Sequence, residues 1–251
     1  MVKNSLILEG CVDSVLSAKN ATEGGANRLE LCSNLIIWGT SPSTVLFKEV
    51  RKKCHNTIHV LIRPRFGDFC YDEDEFSVML NEVKEFRQLG ADGVVIGNLL
   101  PNGDLNLQQT AQLKDAAGNM SVTLHRAFDV CRDPIKTMQE AIGLGINSIL
   151  TSGQQDTCLQ GKECIRNLVK ESAGKIEILV GSGVNADVIR RLRIETAAKA
   201  FHMSGKKTIE SKMQFRNPDV HMGIASIDEY EMLVADKDEF IRAARELRYE
   251  V

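Results

Sequence analysis

Short apolar runs, rich in β-branched residues, alternate along the chain with longer stretches whose apolar positions recur at helical spacing. The runs at 6–11, 28–32, 57–63, 93–97, 121–126, 148–151, 176–181 and 200–204 predict eight strands. Between them, Met79, Val83 and Phe86 mark one helical face, Ile135, Met138 and Ile142 a second, and Ile165, Leu168 and Val169 a third. Gly90, Gly145 and Gly174 follow these stretches, as left-handed C-terminal caps require. Asp13-Ser14, Ser41-Pro42-Ser43 and Asp133-Pro134 supply N-caps and an early proline.

Eight strand–helix units of roughly 30 residues predict a (β/α)8 barrel of the TIM type, α/β in class. The 251 residues suit one such domain, spanning 1–251. An open doubly wound sheet is the alternative. It needs a glycine-rich first turn, and Cys11-Val12-Asp13-Ser14 stands there instead. Residues 206–228, with Lys206, Lys207, Lys212, Arg216 and Asn217-Pro218, read as an inserted loop after strand eight, either a lid over the barrel mouth or a solvated loop. A last helix over 236–247 closes the barrel from outside.

Strand period assigns side chains to faces. Leu8-Glu9-Gly10-Cys11 is echoed by Leu29-Glu30-Leu31-Cys32, so each of the first two strands carries a carboxylate and a thiol on one face. By the same phase Arg63 lies inside with His59 and Leu61, His125 lies inside, and His202 shares its face with Ser204. Polar residues gather where strands end: Arg63 and Arg65, His125 and Asp129, Thr151 and Ser152, Gly181-Ser182-Gly183, His202 and Ser204. Barrel chemistry is built at that end. An inward arginine needs an anion, and Glu9 and Glu30 are the candidates. The cluster therefore reads either as a site or as a structural ion-pair network. Gly181-Ser182-Gly183 and Ser204-Gly205 fall where barrels commonly grip phosphate. Cys11 and Cys32, about 5 Å apart if their strands are neighbours, suit two-coordinate Cu(I), although inward residues of adjacent barrel strands tend to occupy different layers. The other five cysteines read as small hydrophobes.

Net charge is −3 and the pI is near 6.0, against nucleic acid or an anionic membrane as partner. No 18-residue apolar run predicts a membrane span, and the first residues lack the pattern of a signal peptide. Seven cysteines without a tight framework point to reduced thiols in the cytosol.

Taken in order, Leu8-Glu9-Gly10-Cys11-Val12-Asp13-Ser14, Gly24-Gly25-Ala26-Asn27-Arg28-Leu29-Glu30-Leu31-Cys32, Ile62-Arg63-Pro64-Arg65-Phe66-Gly67-Asp68-Phe69-Cys70-Tyr71, His125-Arg126-Ala127-Phe128-Asp129 and Leu150-Thr151-Ser152-Gly153 resemble the CutC copper-homeostasis family over most of the chain. The resemblance implies a (β/α)8 barrel, a cytoplasmic and homo-oligomeric protein, and Cu(I) bound by Cys11 and Cys32. Two places depart from the family pattern: Ile37-Trp38-Gly39 stands where members often carry two glycines, and Gly181-Ser182-Gly183 where they carry three.

Two functions are expected. The first is copper homeostasis, with Cu(I) on Cys11 and Cys32. The alternative is a barrel enzyme acting on a small anionic metabolite, phosphorylated or not. There Glu9, Glu30 or His125 moves a proton, Arg63 and Asp129 assist, and Arg65, Ser152, Gly181, Ser182, Gly183, His202 and Ser204 hold the anion. A pure interaction scaffold would leave the charges at the strand ends unexplained.

Overall fold

A computed structural model describes residues 6–220 and 228–248. The strands are β1 (Ile7–Val12), β2 (Arg28–Leu31), β3 (Thr57–Leu61), β4 (Gly93–Ile96), β5 (Ser121–Leu124), β6 (Ser148–Thr151), β7 (Glu177–Val180), β8 (Ala200–Met203), β9 (Lys206–Glu210) and β10 (Glu231–Ala235). The helices are α1 (Val15–Glu23), α2 (Thr44–Lys53), α3 (Glu73–Gln88), α4 (Leu107–Ala117), α5 (Pro134–Gly143), α6 (Lys162–Ser172), α7 (Ala186–Thr196) and α8 (Lys237–Arg248). Strands β1 to β8 pair in parallel in chain order, and β1 also pairs with β8, so the sheet closes into the expected barrel.

Local chemistry sets the joints. Ser14, Ser43 and Asp133 each accept a backbone N–H in the first turn of α1, α2 and α5, and Pro134 opens α5. Asp72 and Glu75 form a reciprocal capping box at α3. The outward face of the strands (Leu8, Leu29, Val60, Ile62, Val94, Ile96, Val122, Phe201) packs on the helices as one continuous core. The inward face carries only small apolar patches, Cys11 with Cys32, Leu61 and Val95, and Leu150 with Leu179 and Ala200. Polar side chains fill much of the rest.

Six of the eight strands are one or two residues shorter than expected, and two of these cases shape the site. β3 ends at Leu61, two residues before Arg63. β5 ends at Leu124 because His125 turns to cap a 3-10 segment, its Nδ1 accepting the N–H of Ala127 at 3.0 Å. The segment expected to be a loop over 206–228 begins as β9, antiparallel to β10. This hairpin is tied to α1, where Asn20 donates to the Ala235 carbonyl at 2.9 Å and the Ala235 N–H donates to Ser17 Oγ at 3.1 Å. Residues 221–227 of that segment lie outside the described residues.

Candidate functional site

Register builds the inner cluster. Glu9 pairs in register with Arg28 on β2 and with His202 on β8, and Cys11 pairs with Glu30. Three layers follow. In the lowest, the Arg28 guanidinium donates to the Glu9 carboxylate and, at 3.0 Å, to Glu177 on β7, which also accepts from Ser148 at 2.9 Å. Glu9 is fully buried, and its second oxygen meets His202 Nδ1 at 2.7 Å. Burial alone would raise the Glu9 pKa. The charges of Arg28 and His202 reverse that and hold the carboxylate well below its usual range. The expected partnership therefore changes: Glu9 serves Arg28, not Arg63.

One layer up, Cys11 Sγ, a Glu30 carboxylate oxygen and a His202 ring nitrogen lie within 4.8 Å of one another. The Cys11 thiol donates to Glu30 at 3.7 Å, and its pKa is pushed well up, first by the neighbouring Cys32 thiol and then by burial. Glu30 has an oxygen with no partner. Its pKa rises to about 7, chiefly from burial, with the His202 cation opposing and the Glu9 charge adding. Burial would depress His202, but Glu30, Cys11 and Glu9 together keep it well above its ordinary value. Cys32 lies just past the end of β2, its N–H bonded to the Val12 carbonyl and its thiol 3.6 Å from the same oxygen. The two sulfurs therefore touch from different layers, as the geometry of neighbouring inward positions implied.

The third group sits at the barrel mouth. Arg63 is buried and donates to the carbonyls of Gly39 (2.9 Å), Ile37 (3.4 Å) and Gly67 (2.9 Å). Phe69 contacts both Arg63 and His125, its ring centroid 5.2 Å from the guanidinium carbon and 4.9 Å from the imidazole centroid. Two glycines of the β4 segment make room for imidazoles. A Cβ on Gly97 would come within 2.3 Å of His125, and one on Gly93 within 2.4 Å of His59.

The remaining expected residues are engaged elsewhere. Arg65 braces the β3–α3 loop through Glu75, Asp68 (3.1 Å) and the Cys70 carbonyl (3.0 Å). Asp129 faces the loop after β6, accepting from Thr151 Oγ1 (2.5 Å), the N–H of Ser152 (3.0 Å), the N–H of Gln154 (3.2 Å) and Arg126 (2.7 Å). Ser152 Oγ also joins Asp129, at 2.9 Å. Replacing Asp129 by alanine strands these donors, so a loss of about 2–3 kcal/mol in urea unfolding is expected. Ser182 has φ +70° and donates to the Asp156 carbonyl at 2.6 Å, and Gly181 N–H donates to Thr151. Ser204 lines a cavity of about 440 Å³ with Asn185, Lys206, Glu239 and Arg242. There the N-terminus of α7 is met by the chain itself, the Ala186 N–H donating to Glu239 at 3.0 Å. Residues that the sequence reading left out of the site are Arg28, His59, Glu177, Ser148 and Arg126. Counting back by two from Glu30 reaches Arg28; the pairing of Glu177 with Ser148 is visible only in the register.

A closed (β/α)8 barrel with thiols, carboxylates and an imidazole converging inside defines the class of this protein. A model of the CutC family matches residues 6–207. A CutC family protein of Bacteroides thetaiotaomicron is 43% identical over 242 residues, covering 96% of this chain and 97% of that relative. One from Vibrio vulnificus is 40% identical over 225 residues, covering 89% and 90%. The crystal structure of CutC from Streptococcus agalactiae, proposed to be a copper homeostasis protein, superposes with a TM-score of 0.76 at 30% identity over 79% of this chain and 98% of that one. The chain belongs to the CutC family. A thiamine phosphate pyrophosphorylase from Pyrococcus furiosus, at 15% identity and TM-score 0.56 over 98% of both chains, shares the fold alone. Among the described residues no helix is long and apolar enough to cross a membrane.

Proposed function

We propose that this chain binds Cu(I) in copper homeostasis, with Cys11 as the central ligand and Cys32 as the second sulfur. The supporting observation is the convergence of Cys11, Glu30 and His202 within 4.8 Å, with the Cys32 thiol beside them. Sulfur suits a soft monovalent ion, and the His202 ring adds a nitrogen ligand once the arriving cation displaces its second proton. The Glu9 carboxylate fixes the His202 ring through Nδ1, the arrangement that orients ligating histidines in metal sites. A thiol must lose its proton to bind metal. Glu30, with a pKa near 7 and in contact with the Cys11 sulfur, is placed to take that proton as the ion arrives. The same donors are unsuited to a hard cation, which demands a shell of oxygens. A reducing cytoplasm, where the thiols stay free, is the matching compartment.

Competition against a chromogenic Cu(I) chelator, under anaerobic reducing conditions, tests the reading. Wild-type protein is expected to take about one ion per chain, and Cys11→Ser to weaken binding by roughly 100-fold or more. Cys32→Ser is expected to weaken it too. A double variant that competes as well as wild type would refute the proposal.

A further inference from the structure

We infer that the barrel mouth, between the ends of β3 and β5, holds a site for a small oxyanion, gripped by Arg63 and by the Nε2–H of His125. The inference is independent of the copper reading.

Charge carries it first. Arg28, the other buried arginine inside the barrel, is met by two carboxylates, Glu9 and Glu177. Arg63, only 5% exposed, is met by three neutral carbonyl oxygens and, among the described residues, by no carboxylate. A full positive charge held out of water without an anion is costly. The protein keeps it nonetheless, locked by the carbonyls of Ile37, Gly39 and Gly67 from two different loops.

Unmet donors carry it further. The Arg63 Nε and His125 Nε2 atoms are buried and have no partner. The role of the His125 nitrogen follows from its ring: Nδ1 accepts the Ala127 N–H at 3.0 Å, so it bears no proton. Burial, and then the Arg63 charge, push the imidazole down to about 3 and keep it neutral at pH 7. Its single proton must therefore sit on Nε2, which makes that atom a donor. Tyr71, whose hydroxyl is buried, lies within side-chain reach of the Arg63 guanidinium and feels its charge. Phe69, in contact with both the guanidinium and the imidazole, gives the three groups a common apolar wall. Two N–H donors and a cation share one need, an oxygen acceptor carrying negative charge. A carboxylate and a phosphate both supply it.

Metal-free protein, melted in phosphate, in acetate and in chloride at equal ionic strength, provides the test. An oxyanion held at millimolar affinity is expected to raise Tm by roughly 2–4 °C over chloride. A shift in phosphate alone identifies phosphate as the chemistry recognised, and a shift in acetate alone a carboxylate. His125→Asn keeps a side-chain acceptor for the Ala127 N–H and deletes the Nε2 donor; it is expected to lose at least half of the shift. Arg63→Met is expected to lose all of it, and if that variant does not fold, His125→Asn decides. General stabilisation by phosphate excluded from the protein surface would act on wild type and variant alike. No shift over chloride, or an undiminished shift in His125→Asn, overturns the inference.

Discussion

Glu9→Gln is expected to destabilise the barrel by about 3–5 kcal/mol, read as a fall in the urea midpoint without a change in m-value. The substitution conserves shape, so the loss is electrostatic. Glu9 has no exposed surface and stands between two cations, Arg28 and His202. Glutamine leaves both charged groups in the interior. Glu177 still meets Arg28 from the other side at 3.0 Å, so the guanidinium keeps one partner. His202 keeps Glu30, a poorer anion because it titrates near pH 7, and the neutral Cys11 thiol. The imidazole of the variant is therefore expected to lose its proton at a lower pH, visible in the Cε1–H resonance of His202 by NMR. An unchanged His202 titration would show that Glu9 does not hold the imidazolium.

The alternation of apolar and polar residues carries most of the fold. Eight strands fall within two residues of their expected bounds, because a buried parallel strand leaves a short apolar, β-branched run, here spaced by helical stretches and bounded by caps and glycines. The β9–β10 hairpin was not legible. Lys206-Lys207-Thr208-Ile209-Glu210 has little apolar character, and its partner lies 20 residues further on, so no local turn signal announces the pairing. The site was legible as a set of inward residues but not as a set of partners. Period two places Glu9, Cys11, Glu30 and Cys32 inside. It does not say that Glu9 lies level with Arg28 or Cys11 with Glu30, which depends on the stagger between strands. Arg63 shows the consequence. Its inward position was visible, whereas the anion assigned to it belongs to another arginine, and what it touches instead is backbone from loops that no sequence pattern specifies.

Acid is expected to weaken the protein through two imidazoles that the fold keeps neutral. Burial, with a nearby arginine charge adding, lowers His125 to about 3 and His59 to about 4, from an ordinary value near 6.5. The sign follows from linkage. Each folded pKa lies below the unfolded one, so the unfolded chain binds these protons first. Stability from the neutral imidazoles is complete above pH 6.5 and drains away as pH falls, down to the folded values. At pH 5 each group has lost about 1.5 pH units of linkage, or about 2 kcal/mol, and the pair about 4 kcal/mol. Glu30 works the other way. Its raised pKa, near 7, makes the folded chain take up a proton between pH 7 and 4.5 and adds stability there. A wild-type profile alone would therefore mix opposing slopes, and the variants separate them. Urea unfolding at pH 7.5 and pH 5 is expected to show the gap between wild type and His125→Asn shifting by about 2 kcal/mol in favour of the variant at the lower pH. His59→Asn is expected to behave alike. A gap that stays constant with pH would mean that His125 is charged in the folded protein, and its Nε2 proton would then no longer be fixed by the Ala127 contact.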